Sequence, residues 1–75
     1  MNNGYEREIL KEIAEKLLMK KSEIVFRLED KVENPFAAAS EILQNLLNQG
    51  MIALAPVGDS TFAVTQKGMR EAAKV

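Results

Sequence analysis

The spacing of apolar residues changes at Gly50. Before this residue apolar side chains recur every three or four positions, which is typical of helices, and after it they alternate, which is typical of strands. Glycine is also the residue best suited to the left-handed turn that closes a helix. A chain of 75 residues has room for one domain, so residues 1–75 are predicted to form a single, mainly α domain with a small β-hairpin.

The first helix is predicted over residues 5–20. Glu12 and Lys16 lie on its polar side at the favourable acid-first spacing of four, so we interpret that side as solvated. Its opposite side carries an apolar stripe that should face the core: Tyr5, Ile9, Leu10, Ile13, Ala14, Leu17 and Leu18.

Start and stop signals delimit two further helices. Ser22 can cap a short second helix that ends near Glu29, because its hydroxyl can accept from amides of the first turn. Asn34 as cap and Pro35 as first residue start a third helix, which is predicted to run to Gly50. The inward positions are Ile24, Val25 and Leu28 in the second helix and Phe36, Ala39, Leu43, Leu46 and Leu47 in the third.

Two strands are predicted after Gly50. Ile52 alternates with Leu54, and Phe62 alternates with Val64, on either side of a loop of turn formers centred on Gly58-Asp59. A last short helix should follow, capped by Thr65. The predicted core consists of Ile9, Ile13, Leu17, Ile24, Leu28, Leu43, Leu46, Ile52, Leu54, Phe62 and Val64.

Composition argues against catalysis and metal binding. The chain has no cysteine and no histidine, so neither a disulfide nor a conventional zinc site is expected, and no histidine can activate Ser22, Ser40 or Ser60. There is no glycine-rich phosphate cradle, and we expect no cofactor. The apolar runs are shorter than the ~20 residues of a membrane span, and no targeting signal is evident. We therefore expect a cytoplasmic protein without a membrane partner.

Three segments resemble parts of the winged helix-turn-helix family of small bacterial and archaeal transcription regulators. They are residues 22–28 (SEIVFRL), 43–52 (LQNLLNQGMI) and 62–68 (FAVTQKG). The resemblance implies a three-helix core, a two-stranded wing and a short C-terminal helix. In that family the third helix lies in the major groove of DNA and the wing touches the backbone or the minor groove.

The resemblance implies a DNA-binding transcription regulator without catalytic activity. Base contacts would come from outward positions of the third helix, with Gln44 and Asn45 able to bond an adenine edge and Ala37 or Ala38 able to touch a thymine methyl. The predicted base-reading residues are Ala38, Glu41, Gln44 and Asn45, and the predicted phosphate contacts are Lys20, Lys21, Arg27 and Lys67. A monomer would read only a short half-site, so useful specificity would require a dimer.

The distribution of charge supports a different hypothesis. Residues 32–66 contain no lysine or arginine and three acidic side chains, although the chain as a whole has 10 basic and 11 acidic residues. Phosphate neutralisation by basic side chains supplies much of DNA affinity. The alternative is a winged-helix protein–protein interaction module that does not bind DNA, with another protein or a second copy of the chain as partner.

Phe26 is the candidate interface residue for that alternative. The pattern of the second helix points its ring away from the face formed by Ile24, Val25 and Leu28. An outward aromatic ring can anchor a partner protein. The other interpretation is that the ring folds back over the end of the first helix or the start of the third and covers part of the core.

Overall fold

A computed structural model describes residues 3–58 and 60–74. The elements, in chain order, are α1 (Asn3–Lys16), β1 (Leu18–Lys20), α2 (Lys21–Leu28), α3 (Pro35–Asn48), β2 (Ile52–Leu54), β3 (Thr61–Val64) and α4 (Gln66–Ala73). The strands form an antiparallel sheet in the order β1-β3-β2. The described part of the chain is thus mainly helical, as predicted, and its sheet contains β1 in addition to the two predicted strands. Asp59 of the predicted loop lies outside the described residues.

The first helix is shorter than predicted. It ends at Lys16, and Leu17 takes a left-handed conformation with φ of 73°. The next three residues form β1, whose Met19 pairs with Phe62 of β3 and is buried. Leu17 and Leu18 are consequently exposed, so the prediction that they face the core was wrong.

The second helix begins two residues earlier than a Ser22 cap would require. Lys20 is the cap residue, and its backbone N–H donates to Glu23 Oε1 at 2.9 Å. The N–H of Lys21 donates to the carbonyl oxygen of Ser60 at 2.8 Å. The predicted cap was wrong because the end of β1 and the turn before β3 together fix the start of α2.

The third helix begins as predicted. Asn34 Oδ1 accepts from the N–H of Ala37 at 3.2 Å, and Pro35 is the first helical residue. After the helix Gly50 has φ of 75°, the left-handed conformation expected there. The predicted inward face of the helix is confirmed at Ala39, Leu43 and Leu46, which are buried. Ile42, which was not predicted, is also fully buried, whereas Phe36 in the first turn was predicted to face inward and is 61% exposed.

The fourth helix is fixed to the turn that follows α3. Thr65 caps it as predicted, with its Oγ1 accepting from the N–H of Gly68 at 3.0 Å and donating to the carbonyl oxygen of Gly50 at 2.6 Å. A Cβ atom at Gly68 would collide with the carbonyl oxygen of Met51. Glycine at this position therefore permits α4 to lie directly on the turn.

The core lies between the helices and one face of the sheet. Most of the predicted core is buried, and Val64 packs against it while partly exposed. Leu54 was predicted wrongly: it lies in the outer strand β2, next to the loop, and is 64% exposed. The buried hydrophobic residues of the cluster are Ile9, Leu10, Ile13, Met19, Ile24, Leu28, Ala39, Ile42, Leu43, Leu46, Ile52 and Phe62.

Candidate interaction surface

The outer face of α3 is polar and uncharged except for one carboxylate. Ala37, Glu41, Gln44 and Asn48 are exposed on it, and the helix contains no lysine or arginine. Gln44 Nε2 donates to Asn48 Oδ1 at 3.1 Å, so these two amides bond each other. The face on which the winged-helix resemblance would place base contacts therefore carries no positive charge.

One flank of α3 lies against α1. Asn45 Nδ2 donates to Glu6 Oε1 at 3.3 Å, and Gln49 Nε2 donates to Glu6 Oε2 at 3.2 Å. Ala38 is partly buried against the core. Of the four predicted base-reading residues, the structure thus places Glu41 and Gln44 on the outer face, while Asn45 is turned towards α1 and Ala38 towards the core.

The first turn of α3, through Phe36, borders an open groove of about 480 Å³ beside α2. We call it the α2–α3 groove. Basic side chains and Ser60 lie at one end, where α2 begins, and Glu29 lies towards the opposite end of α2. The residues that carry its chemistry are Lys20, Lys21, Val25, Phe26, Glu29 and Phe36.

Two aromatic rings in the α2–α3 groove are exposed to solvent. Phe26 is 71% exposed and Phe36 is 61% exposed, and these are two of the three phenylalanines in the chain. Phe26 points outward as its helix pattern predicted, and its ring does not cover the core. Phe36 was missed as a surface residue because its spacing from Ala39 and Leu43 is compatible with an inward position.

Lys21 connects α2 to α3 at this groove. Its Nζ lies 4.0 Å from the centroid of the Phe36 ring and donates to Ser40 Oγ at 2.7 Å. An ammonium over an aromatic face is attracted by the negative charge of the ring's π system. These two contacts position Lys21 and Phe36 relative to each other, and they bring positive charge next to an apolar surface.

The four predicted phosphate contacts do not form one surface. Lys20 and Lys21 line the α2–α3 groove. Arg27 forms an ion pair with Glu12 of α1. Lys67 lies in α4, which packs against α1 and β3. Only the two lysines at the start of α2 are therefore near the start of α3.

The loop after β2 presents a second exposed apolar surface. Leu54 is 64% exposed and Val57 is 68% exposed. Residues 51–58 carry no charge. This segment has no lysine of its own, unlike the start of α2 in the α2–α3 groove, and it provides exposed apolar control positions for experiments on that groove.

The described residues contain no metal-binding cluster of three or more acidic, cysteine or histidine side chains. Among these same residues, no helix is both long enough and apolar enough to cross a bilayer.

At the end of α4, a hydrogen bond from Lys74 and the charge of that lysine lower the pKa of the Glu71 carboxyl. This ion pair lies outside the α2–α3 groove.

Comparison of the chain with protein-family models, with curated proteins and with solved structures finds no match. The assignment of a functional surface therefore depends on the geometry of the described residues.

Proposed function

We propose that this chain is a winged-helix domain that acts as a protein–protein interaction module and uses the α2–α3 groove to bind its partner. The element order and the antiparallel strand order β1-β3-β2 are compatible with the winged-helix resemblance. The groove adds a surface suited to protein binding.

The exposure of Phe26 and Phe36 is the observation that carries this proposal. Small folded proteins leave single apolar side chains in water, but two large rings lining one groove form a concentrated apolar surface. Aromatic side chains bury about 150–250 Å² each when covered, and they often supply much of an interface's binding energy. A partner that covers both rings therefore gains substantial hydrophobic stabilisation.

The charge of α3 supports a protein partner over DNA. A helix lying in the major groove is surrounded by phosphates, and basic side chains normally neutralise them. The helix α3 has Glu41 on its outer face and no basic residue, and two of the amides there bond each other. Binding DNA with this face would bring the Glu41 carboxylate close to phosphates, and α3 has no lysine or arginine of its own to neutralise them.

A DNA-binding transcription regulator is the second candidate, and Lys20 and Lys21 favour it. Both lie at the start of α2 beside the start of α3 and the turn at Ser60. In the family that the sequence resembles, this region is close to the DNA backbone. Phosphate contacts by these lysines would make binding strongly dependent on salt concentration.

Binding of the full chain to random-sequence duplex DNA at about 50 mM and about 200 mM salt tests the two candidates. We expect no binding at either concentration. Duplex binding that weakens by about 10³-fold between the two concentrations would favour the regulator instead.

A second measurement tests the interaction module directly. The tagged full chain is used to isolate partners from its native source, as wild type, as the Phe26→Ser/Phe36→Ser double variant, and as the Leu54→Ser/Val57→Ser control. We expect the same protein to be recovered with the wild type and the control and to be lost with the phenylalanine variant. Equal recovery with all three chains contradicts the assignment of the groove.

A further inference from the structure

The α2–α3 groove combines apolar and charged groups in a definite order. Val25, Phe26 and Phe36 provide the apolar surface, Lys20 and Lys21 lie at the end where α2 begins, and Glu29 lies towards the other end. An occupant that matches this order is apolar along the side that enters the groove and acidic at the end that meets the lysines. Charge complementarity of this kind selects partners and fixes their orientation.

Side chains of helices form most of the groove wall. An occupying strand would continue the sheet at β1 or β2, its two edge strands, whereas Phe26 and Phe36 lie on helices outside the sheet. An amphipathic helix needs only an apolar groove for side chains spaced i, i+3, i+4 and i+7. Val25 and Phe26 come from α2 and Phe36 from α3, so helix side chains provide the apolar contacts. A volume of about 480 Å³ has room for several apolar side chains of such a helix.

A second copy of the chain lacks a suitable helix. The apolar side of α1 is buried, with Ile9, Leu10 and Ile13 all in the core. The exposed apolar surface at Leu54 and Val57 belongs to β2 and the loop after it rather than to a helix. The helix α4 has a single large apolar side chain, that of Met69. The occupant is therefore a helix of another protein.

We infer that the α2–α3 groove binds an acidic amphipathic helix of a partner protein, with apolar side chains against Phe26 and Phe36 and carboxylates beside Lys20 and Lys21. This inference rests on the proposed interaction function and names the class of partner. Glu29 sets the direction: the positive N-terminal end of the bound helix lies on the Glu29 side, and its negative C-terminal end lies near the lysines.

Fluorescence anisotropy with a labelled synthetic peptide tests the inference. The probe is a helix of about 20 residues with leucines at i, i+3, i+4 and i+7, glutamates in its last two turns, and alanines and glutamines at its other positions. One control peptide has lysine in place of each glutamate, and another has the same composition in scrambled order. We expect the full chain to bind the acidic peptide at least ~10-fold more tightly than either control.

Variants of the chain test which groups are responsible. Phe26→Ser and Phe36→Ser should each weaken binding at least ~10-fold, because each removes an aromatic anchor. Leu54→Ser should leave binding unchanged. Lys20→Glu should weaken binding and Glu29→Lys should strengthen it, each about 3-fold, because these changes reverse single charges at the rim.

Three results would overturn the inference. Equal binding of the acidic and lysine peptides would exclude the charge complementarity. Tighter binding of a single-stranded oligothymidylate, lost in Phe26→Ser, would show that the groove accepts stacked bases. Self-association in the ultracentrifuge that depends on Phe36, without peptide binding, would assign the groove to a second copy. If the full chain does not bind the acidic peptide, but recovery of the native partner still requires Phe26 and Phe36, the proposed interaction function is retained and only the class of partner is wrong.

Discussion

The two sides of this small domain differ in their surface contacts: on one side hydrogen bonds join two helices, and on the other two aromatic rings are exposed. On the side formed by α1 and α4, Arg7 Nη2 donates to the carbonyl oxygens of Glu71 at 3.3 Å and Lys74 at 2.6 Å, which satisfies acceptors at the end of α4. On the side formed by α2 and α3, Phe26 and Phe36 stay in solvent. With the α2–α3 groove as the proposed binding surface, we expect substitutions on the first side to affect folding and those on the second to affect binding.

Gly68→Ala should have the largest effect, on the α1–α4 side. The added methyl group would collide with the carbonyl oxygen of Met51, so α4 would have to move away from the turn. We expect a loss of about 3 kcal/mol in the free energy of unfolding, measured by urea denaturation. Gly4→Ala is the matched control, because a Cβ there meets no atom within 4 Å and alanine favours the helix. Similar effects of the two changes would contradict the close packing at Gly68.

Arg7→Met should have the next largest effect. It removes the hydrogen bonds to the end of α4 while keeping most of the aliphatic part of the side chain. We expect a loss of about 1 kcal/mol in the free energy of unfolding, since the charged donor is exposed. Lys11→Met on the same helix controls for loss of one positive charge. If both variants have the same denaturation midpoint, the hydrogen bonds of Arg7 do not stabilise the packing of α4.

Each side also has one residue whose conformation favours glycine. Leu17, between α1 and β1, has φ of 73°, and Ser60, beside the α2–α3 groove, has φ of 55°. Replacing either residue by glycine relieves the left-handed strain of the folded chain but increases the entropy of the unfolded chain. The first effect is the larger, so we expect the free energy of unfolding to rise by about 0.5 kcal/mol, and by more at Leu17 than at Ser60. Thermal denaturation measures the gain. Leu18→Gly, in a strand, should destabilise, and an equal loss from Leu17→Gly would show that the strain is unimportant.

Phe26→Ser and Phe36→Ser should have the smallest effect on stability. Both rings are largely exposed, so each change should alter the free energy of unfolding by no more than about 0.5 kcal/mol. Phe62→Ser is the matched control. Phe62 lies in the core and is 7% exposed, so its replacement should unfold much of the protein. A large fall in the melting temperature of Phe26→Ser would assign that ring to the core and remove it from the proposed interface.

The sequence by itself determined the features that depend on nearby residues. The bonds at Asn34 and Thr65 each connect residues three positions apart, so the start of α3 and the start of α4 could be predicted from capping patterns. The alternation after Gly50 identified β2 and β3. Some residues of the α2–α3 groove could also be predicted. The helical pattern of α2 predicted an exposed Phe26, and the sequence placed the cations Lys20 and Lys21 next to this helix.

Tertiary structure alone decided where α1 ends and which residues meet in the groove. The helical pattern continues through Leu17 and Leu18, yet pairing of Met19 with Phe62, more than forty residues away, converts this segment into β1. Likewise the packing of α3 against the rest of the domain buries Ile42 and leaves Phe36 in solvent beside Lys21. Such outcomes depend on contacts between residues far apart in the chain, and a helical or alternating pattern reports only the preference of neighbouring residues.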